Sequence, residues 1–119
     1  MTEIQTDFPD IAKVYSIGKT RNGEDINILE LTSEASVKSI PDVTFVHTKD
    51  DSKSEETEGK PSILITAATH ARELISTTTN LYEALKLIKQ GYIEQEPEMA
   101  NLLKQNKYYF LPVLNVDGV

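Results

Sequence analysis

The 119 residues include no cysteine. That excludes a disulfide framework, a thiolate metal site and a thiol nucleophile, and it fits a reducing compartment. No apolar run approaches the roughly 20 residues needed to cross a bilayer. The opening stretch, 1–9, is polar and lacks the apolar centre of a secretory leader. There is no cluster of lysine and arginine, and the net charge is -7. A phosphate backbone needs a basic patch, so nucleic-acid binding is not expected. The expectation is a soluble, cytoplasmic chain with neither nucleic acid nor membrane as partner, its acidity serving solubility. Histidine is scarce as well: there are two, His47 and His70.

What the chain does have is a globular balance, 39% hydrophobic and 26% charged, at a length that suits one domain over 1–119. Residues 1–12 carry no strong pattern, although Phe8-Pro9-Asp10-Ile11 could open a short helix or simply pack against the domain. Residues 14–17 and 26–31 read as strands. Between them Asn22-Gly23 is a turn signal, because both residue types tolerate positive φ, so a hairpin is predicted. Residues 43–46 suggest a short strand or flap. The run 49–60, KDDSKSEETEGK, has no apolar residue and mixes acids with lysines. Such a run cannot bury enough surface to offset its ordering entropy and predicts a solvated loop.

Periodicity returns after Pro61. Residues 63–68, ILITAA, form a nearly continuous apolar run, the pattern of a strand buried on both faces in the middle of a sheet. Leu74, Thr78, Leu81, Tyr82, Leu85 and Ile88 then repeat at helical spacing, predicting a helix with that stripe inward and Gly91 as its left-handed cap. Pro97 suits the first turn of a second helix, whose apolar side holds Met99, Leu102 and Leu103. Residues 108–114 read as a final strand, with Pro112 unsuited to a paired interior position. The order β-β-loop-β-α-α-β predicts an α/β domain with a mixed sheet and flanking helices.

The chemistry concentrates at Thr69-His70-Ala71-Arg72-Glu73. Histidine and glutamate three apart project to one side if the chain turns helical there. An imidazole nitrogen and a carboxylate oxygen are both good zinc ligands, and catalytic zinc usually takes three protein ligands plus water. Alone, His-x-x-Glu is a weak signal; the plain alternative is a surface histidine beside a glutamate favoured by a helix dipole. Its address sharpens it, because the pair follows the apolar strand and precedes a helix. In open α/β sheets ligands bind at that end of the strands.

Residues 61–76, PSILITAATHARELIS, resemble the first zinc signature of the carboxypeptidase A/B-like metallocarboxypeptidases. Residues 15–26, YSIGKTRNGEDI, are similar to that family's opening segment, with Glu24 where arginine is usual. Residues 111–118, LPVLNVDG, are similar to its strand-to-turn segment. The resemblance implies an amino-terminal, partial metallocarboxypeptidase domain, with 34–60 as an acidic loop insertion. It implies one Zn2+ ion with His70 and Glu73 as its first two ligands, and Arg72 binding substrate. Guanidinium suits that task, since it grips carbonyl or carboxylate oxygens in a fork. Asn115, Asp117 and Gly118 would be structural.

The parent activity implied is hydrolysis of the C-terminal residue of a peptide or protein. By the same resemblance the third ligand, a histidine, and the general-base glutamate fall after Val119, so no catalytic residue is expected within this chain. His47, beside the charged run, reads as a solvated loop residue and not a replacement ligand. Three explanations stay open: a portion of a longer enzyme, an inactive truncated domain serving as a protein-interaction module, or a binding domain without metal chemistry. The oligomeric state is not legible.

Overall fold

The computed structural model describes residues 1–33 and 60–119. The strand or flap expected at 43–46, His47 and the acidic run short of Lys60 lie outside the described residues. The chain opens with a short helix, α1 (Thr2–Asp7), that stops at Phe8 instead of starting there. Phe8 packs edge-on to Tyr92, ring centres 6.0 Å apart. It serves as an anchor between the first helix and the later helical layer.

Strands β1 (Ala12–Lys19) and β2 (Asp25–Leu31) form the predicted antiparallel hairpin. At its tip Thr20 N–H donates to Glu24 O at 2.8 Å and Gly23 takes φ 85°. Asn22 stays at negative φ, so only the glycine uses its freedom. Residues after the acidic run form β3 (Ser62–Thr66), α2 (Ile75–Ile88), a π-helical turn (Lys89–Ile93), α3 (Pro97–Gln105), β4 (Lys107–Leu111) and a 3₁₀ turn (Val116–Gly118). The sheet order is β1-β2-β4-β3, with β4 antiparallel to β2 and parallel to β3. The mixed α/β sheet expected from the sequence is therefore present.

One face of that sheet makes the core. Leu29, Leu31, Tyr108 and Phe110 meet Ala84, Leu87 and Ile88 of α2 and Leu103 of α3, with Ile11 and Ala12 closing one side. Leu29 and Leu31 are fully buried. Each such side chain stabilises the fold by about 1.5–3 kcal/mol relative to exposure.

Three expectations need correction. The apolar run of β3 was expected in the middle of the sheet, but among the described residues β3 lies at one edge, and Leu64 is 60% exposed. Composition records that a strand suits two-sided burial; it does not record which strand lies beside it, and here β4 takes the middle. Second, the expected stripe of α2 mostly faces outward: Leu74, Tyr82 and Leu85 are exposed, while Asn80, Ala84, Leu87 and Ile88 are buried. The helix carries two apolar stripes, and the one with the small residue Ala84 lets it approach the sheet closely. Third, Gly91 is not a left-handed cap. It sits buried inside the π-helical turn, where an added Cβ would lie 3.0 Å from the Met99 carbonyl oxygen. The left-handed residue is Gln95, φ 50°, just before Pro97 opens α3. Pro112 behaves as expected, and β4 ends one residue before it.

The sheet also carries a partly buried polar group. Tyr15 Oη donates to Glu30 Oε2 at 2.9 Å, and Lys107 Nζ lies 3.6 Å from Glu30 Oε1. Burial and then the Glu30 carboxylate push the phenols of Tyr15 and Tyr109 above the ordinary range, and burial alone raises Tyr108.

Candidate metal centre

The C-terminal ends of β3 and β4 stay paired beyond the regular strands. Ala67 N–H donates to Leu111 O at 2.9 Å, Leu114 N–H to Ala67 O at 3.0 Å and Asn115 N–H to Ala68 O at 3.1 Å. The chain then leaves the sheet sharply at Ala68, which holds φ 50° while almost fully buried. A left-handed alanine is strained by about 1–3 kcal/mol and persists only where its surroundings hold it. Ala68 leads directly into the turn carrying His70, Arg72 and Glu73.

That turn is not the first turn of α2. The helix begins at Ile75, and His70 to Glu73 form a separate turn closed by Glu73 N–H donating to His70 O at 3.0 Å. The two candidate ligands thus stand at opposite ends of one hydrogen-bonded turn. His70, Arg72 and Glu73 are all exposed. Among the described residues their side chains have no hydrogen-bond or ion-pair partner.

His70 and Arg72 line an open depression of about 430 Å³ together with Thr69, Asn115 and Gly118. Glu73 stands beside it and is not among the residues of its wall. A larger cavity, about 880 Å³, lies against Tyr92, Pro97, Asn101 and Lys104 and shares no residue with this site. Size does not decide between them: the larger one lacks the imidazole that a metal would take.

Three elements brace the turn. Ser76 Oγ donates to Glu73 O at 2.6 Å and accepts from Ala68 N–H at 2.9 Å. Asn115 Nδ2 donates to Thr69 O at 3.4 Å, and Asn115 Oδ1 accepts from Gly118 N–H at 3.2 Å. Gly118 backs onto Ala71, where a Cβ would stand 2.8 Å from the alanine methyl. From the far side, the hairpin tip joins in, with Asn22 N–H donating to Asp117 Oδ2 at 3.2 Å. Beneath, Asn80 Nδ2 donates to Ile65 O and Thr77 Oγ1 to Pro112 O, tying α2 to both strand ends. Asn115 and Gly118 close their own turn after β4, the structural part the resemblance implied, and Asp117 ties that turn to the hairpin tip.

Ser76, Thr77 and Asn80 escaped the reading of the sequence. The signal available was a polar run, STTTN, at the start of an otherwise apolar helix. Hydroxyl and amide side chains there are suited to catching backbone groups of the neighbouring strands.

The donor set fits part of a zinc site. It offers one imidazole and one carboxylate without competing partners among the described residues. Those residues contain no group of three histidine, cysteine, aspartate or glutamate side chains close enough to hold an ion.

Comparison with known proteins agrees with this architecture. The zinc carboxypeptidase family model matches residues 1–119, and the chain belongs to that family. It is 27% identical to carboxypeptidase A4 of Mus musculus over 118 residues, 99% of this chain and 23% of that protein. It is 30% identical to the inactive metallocarboxypeptidase ecm14 of Talaromyces stipitatus over 112 residues, 93% of this chain and 16% of that protein. The crystal structure of thrombin activatable fibrinolysis inhibitor matches with a TM-score of 0.70 at 24% identity, over 98% of this chain and 23% of that one. This last likeness concerns the fold. The chain spans less than a quarter of the length of each of these relatives.

Proposed function

We propose that this chain forms the amino-terminal portion of a zinc-dependent metallocarboxypeptidase that removes C-terminal residues from peptides or proteins. His70 and Glu73 are two ligands of its single zinc ion, and Arg72 binds the substrate. The observation carrying the reading is the isolated turn, closed from His70 to Glu73, at the carboxyl ends of two parallel strands in a chain matched throughout by the zinc carboxypeptidase family.

When bound, zinc supplies Lewis acidity to a scissile carbonyl and acidifies water. The chain's own residues bind and orient. His70 and Glu73 hold the ion, and Arg72, on the wall of the depression with His70, offers paired N–H donors to substrate oxygens. None of the described residues is assigned as general base. That group and a third ligand belong, by the resemblance, to sequence beyond Val119. A cytoplasmic location and the absence of nucleic-acid and membrane partners are part of the same proposal; among the described residues no helix is long and apolar enough to cross a membrane.

The competing reading is an inactive domain used as a protein-interaction module. It draws on the similarity to a relative named inactive and on the exposed Leu64, Tyr82 and Leu85. Zinc titration of the 119-residue chain by calorimetry separates the two. Weak binding is expected, because affinity follows ligand number. His70→Ala and Glu73→Ala should each weaken it further by roughly tenfold or more, the range seen when a metal site loses a supporting contact. Equal binding by wild type and both variants removes the metal assignment and leaves the interaction module.

A further inference from the structure

We propose that Ser76 is a positioning residue: its hydroxyl, shared between the Ala68 amide and the Glu73 carbonyl, fixes the loop on which His70 and Glu73 stand and so sets their affinity for a divalent cation. The proposal rests on the assignment of those two residues as ligands.

The geometry is that of a clasp. Ala68 is the last residue before the loop and Glu73 the last candidate ligand on it, so one oxygen joins the two ends. The oxygen plays complementary parts, accepting from an amide at 2.9 Å and donating to a carbonyl at 2.6 Å. A hydroxyl has one proton and two lone pairs and can do both at once. The amide it satisfies is buried and belongs to a left-handed alanine, turned out of the sheet ladder by its own backbone. Among the described residues it has no other acceptor. A buried amide without an acceptor is costly, so without the hydroxyl the backbone at Ala68 has reason to relax. Relaxation there swings the loop from its root.

Asn115 braces the same loop by a different route. It bonds Thr69 near the root and leaves Glu73 untouched. Of the two braces, only Ser76 reaches the carboxylate-bearing residue. Ser76 itself sits in the first turn of α2, and Ser76 N–H donates to the same Glu73 carbonyl at 3.1 Å. The loop is therefore referenced to a helix packed on the core. A ligand pair that is only fractionally in the binding geometry loses affinity by that fraction.

The test uses the 119-residue chain with zinc chloride as the probe. Ser76→Ala and Ser76→Val remove the hydroxyl, and Ser76→Thr keeps it. Zinc affinity is measured by calorimetry and Ala68 amide exchange by NMR. We expect affinity to fall roughly tenfold in the alanine and valine variants and to stay within about twofold of wild type in the threonine variant. Ala68 exchange should accelerate in the first two only. A purely structural role would lower the melting temperature and leave zinc affinity unchanged, and that result overturns the proposal.

If the variants without the hydroxyl do not fold, the wild type decides. Coupling is reciprocal, so saturating zinc must slow Ala68 exchange in wild type and not in His70→Ala. An Ala68 amide that exchanges freely, or that ignores zinc, overturns the proposal. The ligand assignment fails separately, through equal zinc binding by wild type and His70→Ala, and the affinity role of Ser76 then falls with it. Loss of Ala68 protection in Ser76→Ala would still mark the clasp as a feature of the fold.

Discussion

Gly118 shows how closely the site is fitted at the level of single atoms. A Cβ placed there would meet the Ala71 methyl at 2.8 Å and the Asn115 amide at 2.8 Å and 2.9 Å. Ala71 lies between the two candidate ligands, so the clash is transmitted to the loop they share. Gly118→Ala should destabilise the chain by about 1–3 kcal/mol, the usual cost of overpacking. Urea denaturation measures it; an unchanged midpoint would mean the 3₁₀ turn yields freely. The reason for a glycine here is space, since its φ is not positive. Asn115-Val116-Asp117-Gly118 was legible as a turn, and the resemblance marked it as structural. That the turn presses on Ala71 needed the fold, because 46 residues separate Asn115 from Thr69, its partner in the loop.

Among the elements, the π-helical turn after α2 has the clearest consequence. It prolongs the helix past Ile88 and delivers Gly91 against α3. Gly91→Ala would set a methyl 3.0 Å from the Met99 carbonyl oxygen, a backbone atom that cannot rotate away. In an ordinary helix this exchange stabilises by up to about 1 kcal/mol. Here it should destabilise by about 1–3 kcal/mol through displacement of α3. Thermal melting of the variant checks the sign, and a gain in stability would refute the packing role.

The same elements mark what sequence can and cannot tell. The hairpin was readable because Asn22-Gly23 is local chemistry, and so was Pro97 at the start of α3. The inward face of α2 was not. The longer run of large apolar residues faces outward, and the choice fell to the stripe bearing the small Ala84 and Asn80, whose amide finds the Ile65 carbonyl. Strand order was unreadable for a related reason. β4 is the last strand in sequence but lies between β2 and β3, a placement fixed by long-range pairing. The His70–Glu73 spacing was visible, yet its turn proved separate from the helix, and the Ser76 clasp behind it was hidden in a serine–threonine run.

Across the whole molecule, the three sheet tyrosines give stability a pH signature. Tyr15, Tyr108 and Tyr109 all hold their phenolic protons more tightly in the fold than the usual value of about 10. A raised folded value means that the native state binds the proton better than the unfolded chain does. The stabilisation is complete below about pH 10 and drains away as pH climbs through the folded values. Melting temperature should therefore hold on the neutral side of pH 10 and drop beyond it. Tyr15→Phe should shrink the drop, because it removes the hydroxyl next to Glu30. A melting temperature insensitive to alkali would contradict this account. The other global feature is the far side of β3, which has no strand partner among the described residues and where Leu64 stands exposed, the kind of edge that invites another strand.

The position of β4 also dictates timing. During synthesis the hairpin emerges from the ribosome first and β3 much later, and among the described residues no hydrogen-bonded ladder joins them directly. Until Lys107 to Leu111 have left the exit tunnel, the nascent polypeptide holds two pieces of sheet with a vacant lane between them. Strand β4 is the keystone, and cotranslational folding of this region must wait for it.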